Sequence, residues 1–237
     1  MQAIIQPDHL QYLKVFSHPR SGTHFLEAFI GRNFYKDIDL SVQSHQWGHW
    51  ANREDNAKGN PYGKLFGSHI YPGRFLRKIT YPSIYIYRDG RAVAASLWKT
   101  RNFIHPRYQG ISFSEFLRLK IDWLGAPSVR WESSMNIAQH WENHVLGWKR
   151  IAESNENIVI VNFEEIKLNP YQVYRNIFLK FFQEQSVLLK ESEVDYVEDP
   201  VGLLPNKAER EAWREIFTEE DIAYFNSSLK IDIYADA

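Results

Sequence analysis

What most constrains this chain is a recurring pattern: a short apolar run, then a polar turn, then helical periodicity. Tyr12 to Phe16 runs into His18-Pro19-Arg20-Ser21-Gly22-Thr23, after which Phe25, Leu26, Phe29 and Ile30 recur on one side of a helix. Ser83 to Tyr87 runs into Arg88-Asp89-Gly90, and Arg91 to Lys99 reads as the next helix. Ile137, Trp141, Val145, Trp148 and Ile151 share one stripe of a long amphipathic helix. Ile158 to Phe163 reads as a strand buried on both faces of a parallel sheet. A further helix is expected over about Tyr171 to Phe182, and Thr218 with Asp221 resembles a capping box opening a last one. Strands, turns and helices in series predict a three-layer α/β fold, its mostly parallel central sheet flanked by helices. No repeat, linker or low-complexity run divides residues 1–237, which are expected to form one domain. In such sheets ligands bind at the carboxyl ends of the strands, where the turns at Arg20 and Arg88 both fall.

Composition narrows the chemistry. A net charge of −1 argues against a nucleic-acid partner, so any anion site must be built locally. The absence of cysteine excludes disulfides, thiolate nucleophiles and cysteine-ligated metals. His45, His49, His105, His140 and His144 fit no zinc spacing and are read as core or surface, so no metal is expected. Met1 to Lys14 is polar and mixed, with neither a signal peptide nor a membrane span, which makes a cytoplasmic location the expectation.

The turn Pro19-Arg20-Ser21-Gly22-Thr23-His24 is suited to an oxyanion. Gly22 lets the backbone curl, the following helix offers free N–H groups, Ser21 and Thr23 add hydroxyls, and Arg20 adds a fixed charge. Alone, the hexapeptide fits an N-capped helix after a tight turn equally well. It lacks the Gly-x4-Gly-Lys-Ser/Thr pattern of the nucleotide-triphosphatase loop. In the second segment Ser96 lies eight residues beyond Arg88, just over two helical turns, so both side chains reach one phosphate if the strand ends at Arg88. The alternative is Arg88 paired with Asp89 or another carboxylate on the surface.

Read together, these segments resemble the PAPS-dependent sulfotransferase family (PAPS is 3'-phosphoadenosine 5'-phosphosulfate, PAP its desulfonated product). Ser17 to Phe25 looks like the family's 5'-phosphosulfate loop, a P-loop-like phosphate-binding turn, and Tyr87 to Ser96 like its 3'-phosphate segment. Gly67-Ser68-His69-Ile70-Tyr71-Pro72 resembles the stretch carrying the general base, and Trp141, His144-Val145 and Gly147-Trp148 match the helix before the next strand. Phe163 to Pro170 and Trp213-Arg214 with Phe217-Thr218 and Phe225 match the later blocks, so the likeness runs in order over roughly residues 12–225.

The resemblance implies His69 as general base and Arg20 on the bridging oxygen. Ser21, Gly22, Thr23 and His24 would hold the 5'-phosphate, with Arg88, Ser96 and either Lys207 or Arg210 on the 3'-phosphate. Phe25, Phe163 and Trp213 would pack against the adenine. PAPS is then the donor, no metal is required, and the acceptor is a small molecule or carbohydrate with a hydroxyl or amine. Residues 35–66 and 100–135, rich in aromatics, carry no motif and are expected to shape the acceptor pocket. Four departures stand out: Arg20 replaces the usual Lys, Gly67 replaces a frequent Lys, Phe163 replaces Tyr, and the C-terminal glycine-rich block becomes Asn206 to Glu211. The competing readings are a small-molecule kinase using ATP with Mg²⁺ and a non-catalytic nucleotide-binding relative. Nothing in the sequence sets the oligomeric state.

Overall fold

The computed structural model describes residues 12–35, 65–72, 79–100, 105–120, 134–184, 186–197 and 211–231. Within them, strands β1 (Lys14–Ser17), β2 (Phe66–Ser68), β3 (Ser83–Tyr87) and β4 (Ile158–Asn162) form one parallel sheet in the order β2-β1-β3-β4. Helices α1 (Thr23–Phe34), α2 (Gly90–Thr100), α3 (Phe113–Arg118), α4 (Ile137–Glu153), α5 (Phe163–Leu168), α6 (Pro170–Phe181) and α7 (Glu219–Ser228) flank it.

The register explains the layering. Val15 pairs with Ile84, which pairs with Val159; one residue on, Phe16, Tyr85 and Ile160 line up likewise. Successive strand side chains point to opposite faces, so the two rows serve different cores. Val15, Ile84, Ile86 and Val161 pack with Leu26, Phe29 and Ile30 of α1 and Ile177 and Phe178 of α6. Phe16 and Tyr85 pack with Val93 and Leu97 of α2, Phe116 of α3, Trp141 and Trp148 of α4, and Phe225 of α7. The result is the expected helix–sheet–helix sandwich.

Two expectations are corrected. β4 closes one side of the sheet order, so Val159 and Ile160 are half-buried rather than enclosed on both faces. The strand also stops at Asn162, whose Oδ1 accepts from the backbone N–H groups of Glu164 (2.7 Å) and Glu165 (3.1 Å). Phe163 therefore opens α5, a short helix the sequence reading passed over, and α6 starts afresh at Pro170, which fits a first helical position. The capping box at α7 is present: Asp221 N donates to Thr218 Oγ1 (3.1 Å) and Thr218 N to Asp221 Oδ2 (3.3 Å). β1 has β2 on one side and β3 on the other, so the strand order reverses beside it, and its carboxyl end is where a sheet of this kind holds a ligand. No helix among the described residues is long and apolar enough to cross a membrane.

Candidate active site

Each strand delivers a polar or aromatic group at its carboxyl end: β1 the loop through Gly22, β2 His69, β3 Arg88, and β4 Phe163. In the first loop Arg20 and Gly22 both take left-handed backbone, at φ 69 and 91. For Arg20 that conformation is strained, by about 1 kcal/mol or more. At Gly22 a Cβ would lie 2.4 Å from Phe163 Cδ2, so the loop closes on that ring only because the residue is glycine. No side chain caps α1, so no side-chain oxygen competes for the N–H groups of its first turn. Ser21 is fully buried, and its Oγ has no hydrogen-bond partner among the described residues.

Two guanidiniums share the space above this loop. Arg20 Nε donates to Ser96 Oγ (2.9 Å), joining the first loop to the second segment. Arg88 is 6% exposed, with its guanidinium carbon 4.8 Å from the centre of the Phe163 ring, so its charge is buried rather than at the surface. Asp89 pairs with Arg91 (2.7 Å) and is steadied by Glu164, whose Oε1 accepts from its backbone N–H at 3.2 Å. Burial lowers the pKa of Arg20, and repulsion from Arg88 lowers it further. Burial does the same to Arg88, opposed by Glu164 and Asp89. Two cations crowded in a dry crevice favour an incoming anion.

His69 is buried at the end of β2. Its Nδ1 lies 3.0 Å from the Ser17 carbonyl, which can only accept, so Nδ1 carries the hydrogen and Nε2 the lone pair. Ser17 Oγ is also 3.0 Å from Nδ1 and 2.7 Å from Thr23 Oγ1, tying the imidazole to the phosphate loop. Burial pushes the His69 pKa down to about 3, opposed by the Ser17 carbonyl and reinforced by His18, His24 and Arg20. The ring is neutral at physiological pH. Behind Gly67, a Cβ would lie 2.7 Å from the Phe16 ring, itself packed 4.8 Å from Trp148 between centroids. The lysine common at that position in the family has no room here.

Helix α4 positions three of the four strand ends. Trp141 Nε1 donates to the Arg88 carbonyl (3.1 Å), and Trp148 Nε1 to the Ile70 carbonyl beside His69 (3.2 Å). His140 Nδ1 lies 3.0 Å from His18 Nε2, and His18 Nδ1 donates to the Pro19 carbonyl at 2.9 Å. The periodicity of α4 marked Trp141 and Trp148 as core; their indole donors, and the buried His18–His140 link, were not legible. Glu27 was also missed. It is fully buried one turn beyond His24, and its Oε2 lies 3.1 Å from His24 Nδ1, a spacing of three that a helical reading offers.

Among the adenine candidates, Phe25 is half-buried and meets Phe163 edge-on at 5.4 Å, with Lys167 Nζ 4.6 Å over its ring. Phe163 is enclosed between Gly22 and Arg88. Trp213 is 3% exposed, packs on Phe217, and lies under the guanidiniums of Arg91 (4.2 Å) and Arg214 (4.7 Å). Lys207 and Arg210 lie outside the described residues, as do His45 and His49. His144 is core, 2.7 Å from Tyr85 Oη, whereas His105 caps a surface turn by accepting from Arg107 N at 3.1 Å.

A family model described as "Sulfotransferase domain" matches residues 13–199. No sequence among the curated proteins matches the chain. Among solved structures, mouse sulfotransferase SULT7A1 complexed with PAP shares 18% identity, with 93% of this chain and 83% of that one covered at a TM-score of 0.61. Retinol dehydratase in complex with androsterone and inactive cofactor PAP shares 13% identity over 94% and 80% of the two chains, with a TM-score of 0.60. A putative steroid sulphotransferase of Arabidopsis thaliana shares 16% identity over 96% and 77%, with a TM-score of 0.56. At these identities the structural likeness speaks for the fold.

Proposed function

The chain belongs to the sulfotransferase domain family, and from that premise we propose that it moves a sulfonate group from PAPS to a hydroxyl or amine of a small-molecule or carbohydrate acceptor, with His69 as general base. The observation that carries the reading is the buried Ser21 hydroxyl, without a partner among the described residues, at the start of α1 where no side chain caps, in a loop whose Arg20 lies close enough to Arg88 to be repelled by it. A buried polar group without a partner is costly in the ligand-free fold, and an oxyanion satisfies it. PAP in two of the structural neighbours adds support.

The donor supplies an electrophilic sulfur on a phosphate leaving group. Backbone N–H groups from Gly22 to His24 and the Ser21 hydroxyl suit its 5'-phosphate, while the Ser21 N–H is used within the turn on the His18 carbonyl (3.2 Å). Arg88 and Ser96 suit the 3'-phosphate, and Arg20, bonded to Ser96, links that segment to the first loop. As the acceptor oxygen or nitrogen bonds to sulfur and the sulfur–oxygen bond to phosphate breaks, the acceptor proton passes to His69 Nε2. The negative charge stays on the phosphate, facing the first loop. Arg20 stabilises that charge as a permanent cation without giving up a proton. A polyanion beside His69 raises its basicity from the low value of the ligand-free ring, which suits a base needed only with donor in place.

Calorimetric titration with PAP tests this on the native chain, Arg88→Ala and His69→Ala. Tight native binding, weakened about a hundredfold in Arg88→Ala and kept in His69→Ala, is the expected result. Binding of ATP with Mg²⁺ but not PAP would move the assignment to a kinase. PAP binding without turnover across an acceptor screen would favour a non-catalytic relative.

A further inference from the structure

Arg88, Phe163, Phe25 and Lys167 stand in a row where β4 enters α5. The Arg88 guanidinium lies 4.8 Å over Phe163, Phe163 meets Phe25 edge-on at 5.4 Å, and Lys167 Nζ lies 4.6 Å over Phe25. Two cations thus bracket two rings. Lys167 holds this place against its own electrostatics: partial loss of solvent around its ammonium lowers the pKa, Arg88 lowers it further, and no described carboxylate offsets them. A cation over a partly exposed ring is weakly held, and a lysine stem reaches new partners by changing rotamers. Paired cations beside an accessible aromatic face match a ligand that carries a ring with an anion next to it.

Resting on the PAPS reading above, we propose that Lys167 is a donor-binding residue that selects for the 3'-phosphate: its ammonium leaves the Phe25 face as adenine covers it and joins Arg88 on the phosphate. The repulsion between the two cations then becomes a shared attraction, because a phosphate dianion offers oxygens to both. Phe25 passes from holding a cation to stacking a base, with no backbone rearrangement. Lys167 also lies beyond the two segments that the sequence reading tied most directly to the phosphates. It reaches the site only because α5 turns back over the first loop.

Calorimetry of the full chain with PAP and with AMP, which lacks the 3'-phosphate, tests the assignment at two salt concentrations. The variants are Lys167→Met and Lys167→Arg; the side chain is exposed, so both should fold, and thermal melts verify it. Lys167→Met should weaken PAP about tenfold, leave AMP within about twofold and reduce the salt dependence of PAP binding; Lys167→Arg should restore most of the affinity. Equal losses for PAP and AMP, or no loss for either, overturn the role of Lys167 while leaving the PAPS site standing. A native chain that fails to bind PAP refutes the PAPS reading and this assignment together.

Discussion

Acidifying the protein from pH 7 to 5.5 should lower folding stability through three imidazoles, by on the order of 1 kcal/mol each. His18, His69 and His144 are all buried, and in each burial depresses the pKa from the ordinary 6.5, to about 3 for His69 and well below 6.5 for the others. In the unfolded chain each ring takes up a proton as the pH crosses 6.5, while the folded protein refuses it. The unfolded state therefore gains, and stability falls as pH drops through the unfolded value. A ring that stays neutral in the folded protein across this interval contributes on the order of 1 kcal/mol between pH 7 and 5.5. Three such terms are a large share of a typical domain's stability. Glu27 and Glu164, whose pKa values burial raises, bind protons more readily when folded and offset part of the loss.

Urea unfolding at both pH values measures the total, and His144→Gln isolates one ring while leaving the carboxylates in place. That variant should lose on the order of 1 kcal/mol of the pH dependence, whatever its stability at pH 7. A direct check is NMR of the imidazole nitrogens, which should hold their neutral shifts down to pH 5. A variant as pH-dependent as its parent, or a buried ring titrating near 6.5, would refute the argument.

Ser21→Ala should raise the ligand-free melting point, since removing a buried unsatisfied hydroxyl relieves about 1 kcal/mol, and should weaken PAP several-fold; a loss on both readouts would show the hydroxyl already has a partner. Gly67→Lys, which restores the family's common residue, should destabilise by about 1–3 kcal/mol through the Phe16 ring and bring no gain in PAP affinity by calorimetry. Asp221→Ala breaks bonds to Arg118 (2.7 Å), Ser114 (2.7 Å) and the α7 cap together, and should cost about 2–4 kcal/mol by urea unfolding while leaving PAP binding intact.

The sequence by itself determined the elements and the chemistry of the loops. Short apolar runs, stripes of period three to four and capping residues are local signals, so β1, β3, α1, α2, α4 and the α7 cap were legible along the chain. That Arg20 to Thr23 form a tight, hydroxyl-bearing turn into a helix was equally legible, because hydroxyls, a glycine and a helix start are properties of adjacent residues. What only the tertiary structure decided concerns partners distant along the chain. That Gly22 is needed for Phe163, that Gly67 is needed for Phe16, and that Arg20 bonds Ser96 all depend on strand order. α4 reads as an apolar stripe, yet Trp141, Trp148 and His140 also tie down the Arg88, His69 and Pro19 turns, because the sheet brings three strand ends to one helix. Periodicity tells which face of a helix is buried; a hydrogen bond across the core has no period, so no pattern along the chain announces it.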